Sequence, residues 1–240
     1  MAKKAVLVSD IINLTRGIGL NMQNAIYLTP KRYNKPHKFF EKFLDNDLDK
    51  LSKFLELKYD QIEQAKVPGV SKLGEYGREI WLESGSLSTV KWKEYNVFQF
   101  YNEEIYKLFI GVRETVKEAC EYYGINFEEQ QYMIQGWFNI THKGKGKLDW
   151  HDHGGPWAPF FHGYYCVKAE PSSTWYKIDN KDDQKFENKN IDNRLVVSEM
   201  GHPHAMADWD WEGPRITIAY DITPLKALRG NANEQHYFPL

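Results

Sequence analysis

The change of pattern at Gly124 constrains the fold of this chain more than any other feature. Beyond it, short runs rich in aromatic and β-branched residues follow one another: Gln131–Thr141, Leu148–Gly154, Phe161–Ala169, Thr174–Asp179, Arg194–Met200 and Pro214–Ile222. Clusters of Gly, Pro, Asn and Lys separate them, which is the composition of turns. No helical period intervenes. Strands that succeed one another without crossover helices imply antiparallel sheets packed as a sandwich or barrel.

Before Gly124 the period is helical. Phe40, Phe43, Leu44, Leu48, Leu51, Leu55, Tyr59 and Ile62 recur at three- and four-residue spacing. They predict one helix or two abutting helices over Lys38–Gln64, interrupted at Asp45–Asp47. Tyr101–Tyr123 predicts a second helix, with Ile105, Leu108, Phe109, Val112 and Val116 on one side and Gly124 as its stop. Ala5–Val8 is a short strand candidate, Val67–Thr89 reads as mostly loop, and the charged stretch Asn180–Asn193 reads as a solvated hairpin loop. The expected fold is mainly β with N-terminal helices. An N-terminal segment, 1–124, supports a core over 125–224, and 225–240 forms a tail, all within one compact domain.

With 42% apolar residues and 15% aromatics, 240 residues can bury a sizeable core, which excludes a disordered or fibrous chain. The 31 basic and 33 acidic side chains leave a formal charge of −2, so no global field favours nucleic acid or membrane phosphates. Net charge is an average and does not bear on a local basic patch. Cys120 and Cys166 make no disulfide framework, which points to a reducing compartment. Ser9, Asp10, Asn13 and Arg16 interrupt the apolar start, and no stretch approaches the ~20 apolar residues that span a bilayer. A soluble, cytoplasmic protein is expected, and its oligomeric state is left open.

Five of the eight histidines fall between His151 and His204. In a strand, residues two apart share a face, so His151 and His153 can converge on one ion while Asp152 faces away. A third ligand must come from a strand close in space. His204 follows the predicted strand Leu195–Met200, and Pro203 restricts its approach. Three imidazoles suit Fe(II), Zn(II), Ni(II) or Cu(II). Asp149 with His151 is an alternative same-face pair, His142 and His162 read as supporting residues, and a polar surface cluster is the bland alternative for the whole group.

The last strand alternates Arg215, Thr217 and Ala219 against Ile216, Ile218 and Tyr220. One face is core. The other opens with a guanidinium and a hydroxyl, a pair able to clamp a small carboxylate.

Taken together, the pattern resembles the Fe(II)- and 2-oxoglutarate-dependent oxygenases, especially their bacterial and phage prolyl-hydroxylase-like branch. The likeness spans Trp137 to Ile222, roughly a third of the chain. It is carried by Leu148-Asp149-Trp150-His151-Asp152-His153-Gly154-Gly155-Pro156, by His162-Gly163-Tyr164-Tyr165-Cys166-Val167, by Gly201-His202-Pro203-His204 and by Pro214-Arg215-Ile216-Thr217-Ile218. It implies a double-stranded β-helix (jelly-roll, cupin-like) core that uses Fe(II), 2-oxoglutarate and O₂ to hydroxylate a C–H bond of a peptide, amino acid or small molecule.

By the same resemblance, His151 and His204 match the family's two iron-binding histidines, and Arg215 with Thr217 matches the grip on the far carboxylate of 2-oxoglutarate. His153 stands where the family usually has Asp or Glu. That departure keeps open a cupin-like three-histidine metalloenzyme that does not use 2-oxoglutarate. A non-enzymatic β-sandwich binding or virion-associated protein is the further alternative.

Gln135, Trp137 and Asn139 share one face of their strand and are expected along the cavity, with cross-strand packing an equal alternative for Trp137. Tyr164 and Tyr165 face opposite ways, so one enters it, and Tyr165 is placed there with Asn139 and Gln135 as a co-substrate contact. Trp150, Trp157, Trp175, Trp209 and Trp211 read as loop anchors or as an aromatic platform for substrate. Asp208, Asp210 and Glu212 make one rim acidic, while Lys143, Lys145 and Lys147 lie on another loop.

Overall fold

A computed structural model describes residues 35–64, 87–91, 95–153, 160–178, 185–199, 202–225 and 237–240. Strand β1 (Phe40–Phe43) and helix α1 (Leu48–Gln64) come first, followed by β2 (Leu87–Ser88) and helix α2 (Glu103–Tyr123). Strands β3 (Tyr132–Thr141), β4 (Leu148–His151), β5 (Phe161–Lys168), β6 (Ser173–Lys177), β7 (Lys185–Lys189), β8 (Arg194–Glu199), β9 (His204–Met206), β10 (Arg215–Pro224) and β11 (Phe238–Pro239) complete the order. All described pairings are antiparallel. The major sheet runs β1-β8-β5-β10-β3-β11 with β2 also on β3, and the minor sheet runs β4-β9-β6-β7. The two antiparallel sheets that the succession of short strands predicts form a double-stranded β-helix of the jelly-roll type, the core that the family resemblance implies.

Both helices cover the outer face of the major sheet. α2 starts where Asn102 accepts the Glu104 and Ile105 N–H groups, and it ends where Gly124 takes the left-handed conformation at φ 68°. Its Ile105, Leu108, Val112, Val116 and Ala119 are buried with Ile216, Ile218, Tyr220 and Ile222 of β10 and with Tyr165 of β5 in one cluster. Tyr164, Cys166, Ala169, Tyr176 and Val196 form a smaller cluster of their own. Successive residues of β5 and β10 thus serve different cores, as the pleat requires.

Two expectations change. Phe40–Phe43 is a strand rather than the start of a helix: it pairs with β8, Phe40 opposite Val197 and Phe43 opposite Arg194. Its apolar spacing imitates a helix, but Phe43 is 60% exposed, and pairing with β8 satisfies backbone groups that a helix here would leave open. The interruption expected at Asp45–Asp47 does separate β1 from α1, and Asp47 caps the helix, its carboxylate accepting the Lys50 N–H at 3.0 Å. Within the charged stretch 180–193, Lys185–Lys189 forms β7 against β6. Only Asn188 of β7 is buried, and this edge strand carries charge along its length. The candidate strand at 5–8, most of the stretch 67–89, and residues 154–159 with Trp157 lie outside the described residues. No helix among the described residues is long and apolar enough to cross a membrane.

Candidate metal centre and its cavity

Strands β4 and β9 lie side by side and bring His151 directly opposite His204. β4 ends at His151, so His153 is held beyond the strand rather than by its pleat. Its ring nevertheless turns toward the others: ring centroids are 4.3 Å apart for His151 and His204, 5.1 Å for His153 and His204, and 5.9 Å for His151 and His153. One ligand atom from each of the three falls within 4.8 Å of the others.

The Nδ1 atoms explain the orientation. That of His151 donates to the Asp149 carbonyl oxygen at 2.9 Å, and that of His153 donates to Asp221 Oδ1 at 2.7 Å. Nδ1 of His204 makes a longer contact, 3.5 Å, to the His202 carbonyl oxygen. Carbonyls and carboxylates only accept, so the proton sits on Nδ1 and the Nε2 lone pair of each ring is left for a metal. Burial, reinforced by the neighbouring His153, pushes the His151 imidazole down to about 4. Burial and the surrounding imidazoles hold His204 and His162 well below the usual range. Burial would lower His153 as well, but the charge and hydrogen bond of Asp221 outweigh it and raise its pKa.

A cavity of about 90 Å³ opens between the sheets beside this cluster. His151, His153 and His204 line one end, and Arg215, Thr217 and Asn139 also line it. Arg215 is buried, and its Nε donates to Ser172 Oγ at 3.0 Å. Among the described residues no carboxylate pairs with it. Burial pulls the guanidinium below its ordinary range, yet a guanidinium stays charged in a protein. Ser88 Oγ donates to Asn139 Oδ1 at 2.6 Å, which leaves the Asn139 amide NH₂ as its free donor.

The pleat carries Arg215, Thr217, Ala219 and Asp221 on one face of β10. Asp221 is a residue the sequence reading missed. Continuing the alternation one step past Ala219 reaches it, but nothing local shows that His153 lies opposite.

Tyr165 is not in the cavity. It is fully buried on the helix side, its hydroxyl donating to Asn193 Oδ1 at 2.5 Å, whereas Tyr164 lines the cavity. Gln135 pairs with Asp221 across the sheet and is absent from the lining, while Trp137 and Asn139 are part of it. His162 lines the cavity too, its Nε2 2.9 Å from Ser198 Oγ. His142 is exposed and takes no part. Trp209 is a packing residue, its indole N–H donating to Gly213 and its ring 5.1 Å from that of Trp211. Trp150 is 36% exposed beneath the Lys177 ammonium.

A second group of metal-capable side chains lies outside this lining: His37, Glu199 and His202, again with ligand atoms within 4.8 Å. Two imidazoles and one carboxylate are a donor set suited to Fe(II).

The site thus sits inside a jelly roll and joins metal-capable imidazoles to a buried guanidinium that meets no carboxylate among the described residues. Neither a family model nor a curated protein matches the sequence. Solved structures do match the fold. A prolyl hydroxylase from Trichoplax adhaerens, solved in complex with a hypoxia inducible factor oxygen degradation domain peptide fragment, aligns over 86% of this chain and 91% of its own, with 12% identity and a TM-score of 0.53. The non-heme monooxygenase ThoJ, in its apo form, aligns over 78% of this chain and 74% of its own, with 8% identity and a TM-score of 0.51. At these identities the shared property is the double-stranded β-helix itself.

Proposed function

We propose that the protein is an Fe(II)- and 2-oxoglutarate-dependent dioxygenase that hydroxylates a C–H bond of a peptide, amino acid or small molecule. One observation carries the reading: a single cavity holds a cluster of three imidazoles and a buried guanidinium that has no carboxylate partner among the described residues. A ligand that chelates metal at one end and presents a carboxylate at the other fits both.

His151, His153 and His204 would hold the iron through Nε2, and the donor chemistry fits, because their Nδ1 atoms are already engaged. Iron and 2-oxoglutarate supply O₂ activation coupled to oxidative decarboxylation, with succinate and CO₂ as products. The chain binds and orients. Arg215 and the Thr217 hydroxyl receive the far carboxylate, and the Asn139 amide offers a further donor. Three neutral imidazoles leave the metal dipositive; with Arg215, Asp221 and a dianionic co-substrate the formal charges cancel, which a buried site requires. Leu148, Tyr176 and Met206 exclude water from the remaining wall. The His37, Glu199 and His202 group is not the centre proposed for catalysis, because it does not line this cavity.

Residues 125–224 would form the catalytic core, with β1, β2 and β11 from outside it completing the major sheet. The bacterial and phage prolyl-hydroxylase-like branch is the closer kinship suggested by the motif order, and the Trichoplax neighbour's peptide complex adds a peptide to the candidate substrates. The two unpaired, buried cysteines suit a reducing cytoplasm.

The test is co-substrate turnover. Fe(II)-loaded protein should consume 2-oxoglutarate and O₂ and release succinate, slowly alone and faster with a true substrate. The three-histidine ligand set favours one competing reading, a cupin-like enzyme without 2-oxoglutarate. Metal-dependent O₂ consumption that 2-oxoglutarate neither supports nor accelerates would establish that reading instead.

A further inference from the structure

We infer that His37, Glu199 and His202 form a second site for a divalent first-row transition ion, separate from the cavity and tying the segment before β1 to the residues that lead into β9 and His204.

The three residues come from three places in the chain: His37 precedes β1, Glu199 ends β8, and His202 stands between β8 and β9. His37 Nδ1 lies 3.3 Å and His202 Nε2 lies 3.4 Å from the same oxygen, Glu199 Oε1. Side-chain exposures are 9% for His37, 13% for Glu199 and 5% for His202.

A carboxylate bound to a protonated imidazole draws it in to about 2.7–2.9 Å, as Asp221 draws His153 to 2.7 Å. The contacts to Glu199 are both longer. They match the spacing of ligand atoms that share an ion, which with bonds of about 2.0–2.1 Å at tetrahedral angles is about 3.3 Å.

His37 Nε2 is buried with no hydrogen-bond partner among the described residues. The ring is therefore held only by apolar and aromatic packing, against Phe39 at 4.6 Å and His202 at 4.1 Å, apart from its long contact to Glu199. A buried imidazole with so little polar compensation is costly as a simple core residue. Coordination through Nδ1, the atom that faces Glu199, would give the ring the strong polar partner its long contact does not, with Nε2 left as the N–H.

The donor set, two nitrogens and one oxygen, suits Fe(II), Zn(II) or Co(II), and three protein ligands leave positions for water. The ion would act as a staple. The His202 carbonyl faces His204 Nδ1 at 3.5 Å, so fixing His202 also steadies the loop that presents His204. This second ion is independent of whether the cavity runs oxygenase chemistry.

Tag-free protein stripped of metal and titrated with Co²⁺, followed by calorimetry and visible absorption, tests the site. Wild-type protein is expected to take two equivalents. The His151→Ala/His204→Ala variant should keep one, and adding Glu199→Gln should remove it. Zn²⁺ should raise the melting temperature of the double variant but not of the triple one. In the otherwise wild-type chain, Glu199→Gln should lower the stoichiometry from two to one, which keeps the test valid if the double variant folds poorly. A folded double variant that binds no Co²⁺, or a Glu199→Gln chain with the same stoichiometry as wild type, overturns the assignment.

Discussion

His153 Nδ1 donates to Asp221 Oδ1 at 2.7 Å, joining the segment just beyond β4 to β10 across 68 residues of sequence. The bond fixes the tautomer and aim of a ring that no strand pairing holds. A carboxylate behind a metal-binding imidazole also raises its basicity as a ligand. In the proposed centre, a histidine with a carboxylate behind it would stand in the place of a carboxylate ligand.

Asp221→Asn is expected to weaken Fe(II) or Co²⁺ binding at the cavity site about 10–100-fold. Calorimetric titration measures it, with circular dichroism confirming the fold. Unchanged affinity would reduce Asp221 to a packing partner.

Arg215→Ala should weaken 2-oxoglutarate binding by about one to two orders of magnitude, the worth of a charged hydrogen-bond pair of roughly 1.5–3 kcal/mol. Fe(II) affinity should stay close to wild type. If both fall together, Arg215 supports the scaffold rather than the co-substrate.

The two tyrosines of β5 should separate cleanly. Tyr165→Phe removes the bond to Asn193 and should cost about 1 kcal/mol in urea unfolding while leaving 2-oxoglutarate binding alone. Tyr164→Phe should change 2-oxoglutarate or substrate affinity with little effect on stability. The reverse result would put the wrong face of β5 toward the cavity.

Glu104 gives the clearest pH dependence. It is buried, and burial alone would raise its carboxyl, but the Asp47 N–H with Lys50 and Lys107 outweighs this and holds it below the ordinary 4.5. The folded state then binds the proton less readily than the unfolded one, so the stabilisation is complete above the unfolded value and is lost as pH falls through the folded one. Glu104→Gln should cost on the order of 1 kcal/mol at neutral pH. The gap from wild type, followed by thermal unfolding, should close in acid. A gap that persists unchanged below the folded pKa would mean that charge is not what Glu104 supplies.

Gly163→Ala should destabilise the major sheet by about 3 kcal/mol or more. An added Cβ would stand 2.1 Å from the Val196 carbonyl oxygen and 2.6 Å from the Tyr220 ring, so β5 and β8 would have to part. The melting temperature reads it, and a wild-type value would show that the strands can shift.

Local periodicity made much of the molecule legible in the sequence. The strand runs after Gly124, the course of α2 and its stop, and the face shared by Arg215 and Thr217 all follow from spacings of two or about 3.6 residues, because each is set by backbone geometry within a few residues. The sequence also carried the His151 and His204 candidates and the three-histidine question.

Pairings between distant segments decided the rest. Phe40–Phe43 became a strand because the edge of β8 lay beside it, and Tyr164 rather than Tyr165 reached the cavity because the helices cover the opposite face of β5. Asp221 met His153, and Glu199 met His37 across 162 residues. Sequence spacing determines which face a side chain takes, but what that face meets depends on the partners that tertiary packing brings to it.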